Sequence, residues 1–293
     1  MQARHFAQIV GLSAFWGASF PLLRIASPAF GPVTLAALRC ALASLVLAVL
    51  MRLLREQWPP RQAWKSLALL GTITLISPFV LFNFAALTLP AGYSAVFNAT
   101  APLFGVLAGA LLREEQLTAA KLLGCVLGFT GVALLVQLGP VEVTWPVILA
   151  SLACAGAAAS YGIGSIFMRR AALTWQPLPA SASVHLAASG LLAVPAATQV
   201  GQVDPTLPAV LALLVIGLVT SGFMYWISMR LMREISASAT TASAFLIPLF
   251  GVTWGALFLG EPVTAGMLPG CVLILLATSL ITGFRPWRRS AGQ

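Results

Sequence analysis

Ten stretches of about twenty apolar residues, separated by short gaps, constrain this chain more than any other feature. A helix that crosses a hydrocarbon layer needs about 20 apolar residues. Such stretches fit residues 6–24, 32–52, 66–87, 92–112, 119–137, 146–168, 180–199, 209–230, 238–258 and 264–283. The gaps leave no room for a soluble domain. Apolar residues run continuously within each stretch instead of alternating with polar ones, which excludes barrel strands. Membrane helices remain, because they satisfy their backbone groups within the segment. Composition agrees: 59% of residues are hydrophobic and 8% charged. A soluble domain carries about 25% charge, and this chain in water would expose large apolar patches. Disorder is excluded by the same apolar content. The first stretch follows only Arg4 and contains Trp16-Gly-Ala-Ser19, so it reads as a retained helix, not a cleaved signal.

The net charge of +9 marks topology, not a nucleic-acid partner. Arg4, Arg52, Arg55, Arg61, Lys65, Arg113, Lys121, Arg169, Arg170, Arg230, Arg233, Arg285, Arg288 and Arg289 gather on one side, fourteen of the sixteen basic residues. Arg24 alone falls on the other side, and Arg39 lies within the second stretch. Alternating loops therefore predict that both termini are cytoplasmic. Cys40, Cys125, Cys154 and Cys271 sit inside apolar stretches without metal-ligand spacing, and act there as small apolar residues. No cofactor or metal is expected.

A shift of 146 residues lays the chain on itself. Pro102-Leu-Phe-Gly-Val106 meets Pro248-Leu-Phe-Gly-Val252, and Glu115 meets Glu261. Across 102–127, sixteen of twenty-six positions are identical. Hydrophobicity alone would not align the Pro, Gly and Glu positions. Near the start of each half the offset is 145, pairing Trp16-Gly17 with Tyr161-Gly162 and Arg24 with Arg169. The chain thus reads as two five-helix units, 1–138 and 146–284, followed by a basic cytoplasmic tail, 285–293. Five is odd, so the second unit must enter the membrane from the opposite side. The predicted fold is an all-α membrane protein, ten helices as two inverted five-helix repeats. Inverted repeats are a recurrent plan of secondary transporters, with the substrate near the midplane.

Phe15-Trp-Gly-Ala-Ser-Phe-Pro21, Leu38-Arg39, and the two Pro-Leu-Phe-Gly-Val runs with their downstream glutamates, including Leu259-Gly-Glu-Pro262, carry a family resemblance. The chain resembles the EamA-like family of the drug/metabolite transporter superfamily over essentially its whole length, and looks most like bacterial amino-acid and metabolite exporters. The resemblance implies ten helices around a central cavity and export across the inner membrane.

Substrate-binding candidates are the aromatic, amide and hydroxyl residues of mid-span: Trp16, Ser19, Phe20, Phe79, Asn83, Asn98, Tyr161, Ser165, Tyr225, Trp226 and Ser243. Apolar walls with a few placed polar groups suit a small amphipathic solute. Buried Asn side chains need partners, so Asn83 and Asn98 are expected to face the interior, as cavity lining or as glue between helices. Arg39 is the charged residue deepest within a span, which makes it a functional candidate by default. It also lies about two turns from the outer surface, within snorkelling reach, and is read as a gating or structural charge. Its repeat partner is Val184, beside His185. Pro102 and Pro248 predict matched bends. Gly105, Gly109, Gly251 and Gly255 predict close helix packing.

The seven acidic residues all lie between the apolar stretches. Ion-coupled carriers usually place an acid or an oxygen cage within the membrane, so a facilitator or exchanger is expected. The favoured substrates are amino acids, aromatic or bulky apolar ones first, and small molecules and membrane lipid are the expected partners. The alternative is a nucleotide-sugar, organophosphate or multidrug carrier, with proton coupling as a variant. Phosphorylated substrates would want several cations in the cavity. An enzyme is not expected: Ser221-Gly222 lacks the preceding glycine of an intramembrane serine protease, with Val at 219. A non-transporting scaffold would have no need of two halves. The oligomeric state is not encoded in these features.

Overall fold

The computed structural model describes residues 2–136, 141–259 and 264–284. Ten helices long and apolar enough to cross a membrane run through them: α1 (Ala3–Phe30), α2 (Pro32–Leu53), α3 (Arg61–Ala85), α4 (Ala91–Leu111), α5 (Ala119–Val136), α6 (Trp145–Thr174), α7 (Pro177–Ala197), α8 (Leu207–Leu231), α9 (Ala237–Trp254) and α10 (Ala265–Thr282). No strand occurs among the described residues. Glu261, with Gly260 and Pro262 of its motif, and the tail 285–293 lie outside them. The first helix extends to Phe30, beyond its expected end at residue 24. Gly31 then turns the chain at φ 72°, a conformation open to glycine, and Pro32 starts α2 at once.

Prolines interrupt three of the helices in one way. Proline has no N–H to give the carbonyl four residues earlier. Pro21 spares Gly17, where the first half of α1 ends. Pro102 spares Asn98, where the first half of α4 ends. Pro78 spares Thr74, inside a wide π-helical segment of α3, Thr72–Ile76. A longer wide segment, Val215–Phe223, occupies α8, at positions matching the first under the 146-residue shift. In α9 the interruption falls at Ala242, ahead of Pro248, which sits inside the helix Ser243–Leu259. The expected matched bends are therefore displaced: α4 breaks at the carbonyl its proline cannot serve, whereas α9 breaks beside the Ser13 hydroxyl, which bonds the Ser243 carbonyl at 3.2 Å.

Principal packing pairs are α5 with α10, α2 with α7, α3 with α6, α8 with α1, α4 with α6, α9 with α1, α3 with α7 and α8 with α2. Exchanging each helix with the one five places along maps this set onto itself. Several of these crossings bring backbones together, among them α1 with α9 and α4 with α6. A Cβ on Gly17 would stand 2.8 Å from the Ile247 carbonyl oxygen and 3.1 Å from the Gly251 nitrogen. A Cβ on Gly162 would meet the Ala101 carbonyl and stand 2.7 Å from the Gly105 nitrogen. Gly109 lies against Glu115 and Ile166, and Gly255 is helical within Ser243–Leu259.

The bundle is apolar outside, with Leu111, Val126, Leu152 and Val194 exposed as lipid-facing residues, while Ser13, Arg39, Asn83, Ser165, His185 and Ser221 are buried. Because the obstruction at Gly162 is backbone, it cannot move aside. Gly162→Ala should lower stability by about 1–3 kcal/mol, the cost of overpacking. Gly190→Ala, with nothing within 4 Å of the added methyl, should be neutral or stabilising. Thermal unfolding of the detergent-solubilised variants measures both.

Candidate functional site

The broken and widened segments face one another across a central cavity. Its wall takes Trp16, Ser19 and Phe20 from α1, Arg39 from α2, Thr74, Phe79 and Phe82 from α3, and Asn98 from α4. From the other half come Tyr161, Ser165 and Met168 of α6, Thr220, Ser221, Tyr225 and Ser228 of α8, and Thr240, Thr241 and Ser243 of α9. Among the described residues, Arg39 is the one charged residue in the lining.

Several of these side chains are held by named partners. The Trp16 indole donates to the Thr220 carbonyl at 3.1 Å, within the wide segment of α8. Thr74, in the wide segment of α3, meets the Tyr225 hydroxyl at 3.0 Å. Tyr161 stacks on Phe82 with centroids 5.9 Å apart, and Phe20 meets Phe82 edge-on at 5.5 Å. His185 packs edge-on against Tyr225 with centroids 4.7 Å apart, and its Nδ1 lies 2.8 Å from the Ser181 carbonyl. The cavity is thus lined by aromatic rings and hydroxyls together.

Of the binding candidates, Trp16, Ser19, Phe20, Phe79, Asn98, Tyr161, Ser165, Tyr225 and Ser243 line this cavity. Two do not. Trp226 packs against Leu47, Met51, Leu178 and Ala182, between α2 and α7, because it follows Tyr225 by one residue and a helix sends neighbours about 100° apart. Asn83 is fully buried and donates to the Pro32 carbonyl at 2.9 Å, tying α3 to the start of α2. Arg39 does not snorkel: it is 5% exposed and turned into the bundle. Sequence reasoning missed Thr74, Phe82, Met168 and Met232. Thr74 could be found through Pro78, four residues on, whereas the other three carry no polar mark.

At the end of the bundle where the basic residues gather, ion pairs join separate helices. Glu115, between α4 and α5, accepts from Lys121 Nζ at 2.7 Å and from both the backbone and the hydroxyl of Ser238 at the start of α9. Glu114 pairs with Arg170 at 2.7 Å, on α6. Glu234 takes Arg4 at 2.7 Å and His5 at 2.8 Å, both on α1. At the opposite end Arg24 donates to the Ala86 carbonyl at 2.6 Å.

A family model matches residues 6–137 and again 148–283. The chain belongs to the EamA-like transporter family. It is a multi-pass membrane protein, and its family members are transporters. It is 27% identical over 285 residues to the uncharacterized transporter YvbV of Bacillus subtilis (strain 168), covering 92% of this chain and 88% of that one. It is 26% identical over 286 residues to a probable terminal-alkyne amino-acid exporter of Streptantibioticus cattleyicolor, covering 95% and 91%. It is 25% identical over 284 residues to the uncharacterized inner membrane transporter YedA of Escherichia coli (strain K12), covering 94% and 90%. A solved crystal structure shares the fold, with a TM-score of 0.79 over 96% of this chain and 97% of that one at 18% identity.

Burial raises the Glu115 carboxyl, but the hydrogen bonds from Lys121 and Ser238 outweigh it and hold the group below its ordinary range. A depressed folded value means that this contribution to stability is present above the ordinary carboxyl value and disappears as pH falls through the lowered one. Thermal stability in detergent, measured from neutral pH down to about pH 3, should fall for the wild type. Glu115→Gln should start lower and show a flatter profile.

Proposed function

We propose that this transporter carries small amphipathic metabolites out across the inner membrane, amino acids with aromatic or bulky apolar side chains foremost. Alternating access between two inverted five-helix halves, residues 1–138 and 146–284, would move them, with both termini in the cytoplasm. The observation that carries this reading is the cavity lining: aromatic rings such as Phe20, Phe82 and Tyr161, several hydroxyls and an amide, and no carboxylate among the described residues. The cavity encloses about 160 Å³, below the roughly 300–1,000 Å³ of sites for drug-sized ligands, which favours a solute of amino-acid size over a nucleotide sugar. The amino-acid exporter and the inner membrane transporter among the relatives point the same way. The halves are supported by the twofold family match and by the exchange symmetry of the helix pairings.

With no acid on the cavity wall, the expected mode is facilitation or exchange. Purified protein in liposomes should take up aromatic amino acids with and without a pH gradient. Uptake that collapsed with the gradient and returned on its restoration would replace facilitation with proton coupling. Trp16→Ala and Tyr225→Ala should each weaken phenylalanine uptake about ten-fold, from lost aromatic contact of about 1 kcal/mol or slightly more. Equal loss for threonine would remove the preference for aromatic solutes.

A further inference from the structure

We propose that Arg39 anchors a carboxylate of the transported solute, so that the cavity selects small acids bearing one negative charge beside an apolar tail. This deepens the carrier reading above and rests on it.

A guanidinium carries five N–H donors in a rigid planar fork. Arg39 forms part of the cavity wall. Its Nε and Nη2 both reach Ser221 Oγ, at 3.4 and 3.2 Å, and its Nη1 reaches Asn83 Oδ1 at 3.5 Å. All three are longer than the common separation of about 2.9 Å, and two share one oxygen. Phe79 covers one face, its ring centroid 3.7 Å from the Arg39 Cζ. These neighbours fix where the fork sits without neutralising it. Among the described residues, every ion pair lies elsewhere, on Glu114, Glu115 and Glu234.

A buried cation without an opposite charge is costly, and such residues within a membrane mark substrate pathways. The shape that completes a guanidinium fork is a planar anion with two oxygens, met by parallel N–H···O bonds. A phosphate dianion would call for further cations, and the wall offers no second one. A solute without a carboxylate would leave the Arg39 charge as it stands. Ser221 comes from the wide segment of α8, whereas Asn83 and Phe79 come from α3, so the anion would sit where the two halves meet.

The test uses the full-length protein in detergent and in liposomes, with four probes that share a phenyl tail: L-phenylalanine, 3-phenylpropionate, L-phenylalaninamide and 2-phenylethylamine. Binding is read by quenching of tryptophan fluorescence and by thermal shift. The two acids should bind at least about ten-fold more tightly than the two compounds without a carboxylate. Arg39→Gln should level the four, and Arg39→Lys should restore part of the preference. Equal binding of acid and amide by the wild type, an Arg39→Gln variant that keeps the preference, or no binding of any acid, acetate and L-threonine included, would each overturn the assignment. If Arg39→Gln does not fold, the wild-type comparison of acid with amide decides alone. Acids that bind but are not carried into liposomes would sink the carrier reading and leave the anchor standing. Phenylalanine uptake by Arg39→Gln at the wild-type rate would do the reverse.

Discussion

Three missing backbone donors shape the interior of this protein. In hydrocarbon, a carbonyl without a partner is expensive, so helices there are normally unbroken. Pro21, Pro78 and Pro102 each withdraw one N–H, and the carbonyls they leave belong to Gly17, Thr74 and Asn98. Gly17 is the position at which α1 and α9 touch through their backbones. Thr74 and Asn98 are cavity residues. The prolines thus act four residues away from where they stand, and they do so where the helices surround the cavity.

The glycine crossings complete what the prolines begin. Gly17 allows α9 to approach, and Gly162 allows α4 to approach. Each glycine follows an aromatic residue, Trp16 or Tyr161, which the close contact directs into the cavity. Polar groups of the wide segments then find aromatic partners: the Thr74 hydroxyl meets Tyr225, and the Thr220 carbonyl accepts from Trp16. Polar groups collect inside and apolar groups outside because lipid, unlike water, rewards no hydrogen-bonding group at the surface.

The helices were legible in the sequence because a twenty-residue apolar run has few other physical readings. Most aromatic cavity residues were legible too, through their mid-span position. Trp226 misled because an aromatic at mid-depth looks alike whether it faces a cavity or a neighbouring helix; only helix rotation separates it from Tyr225. Arg39 misled for another reason. Distance from the membrane surface allows snorkelling, but direction decides it, and here Ser221, Asn83 and Phe79 draw the side chain inward. Met168 and Met232 gave no sign, since an apolar residue beside a cavity has the same chemistry as one beside lipid.

The turn between α1 and α2 is a single residue, Gly31, and that between α6 and α7 is only Trp175 and Gln176. One residue advances the chain about 3.8 Å, so neither connection can take up a displacement of the kind that opens and closes a pathway. The α7–α8 connection, residues 198–206, has far more reach. Movement of α1, carrying Trp16 and Phe20, must pull the near end of α2 with it, and α6 with Tyr161 must pull α7. The aromatic residues and Arg39 therefore travel on tethered pairs of helices.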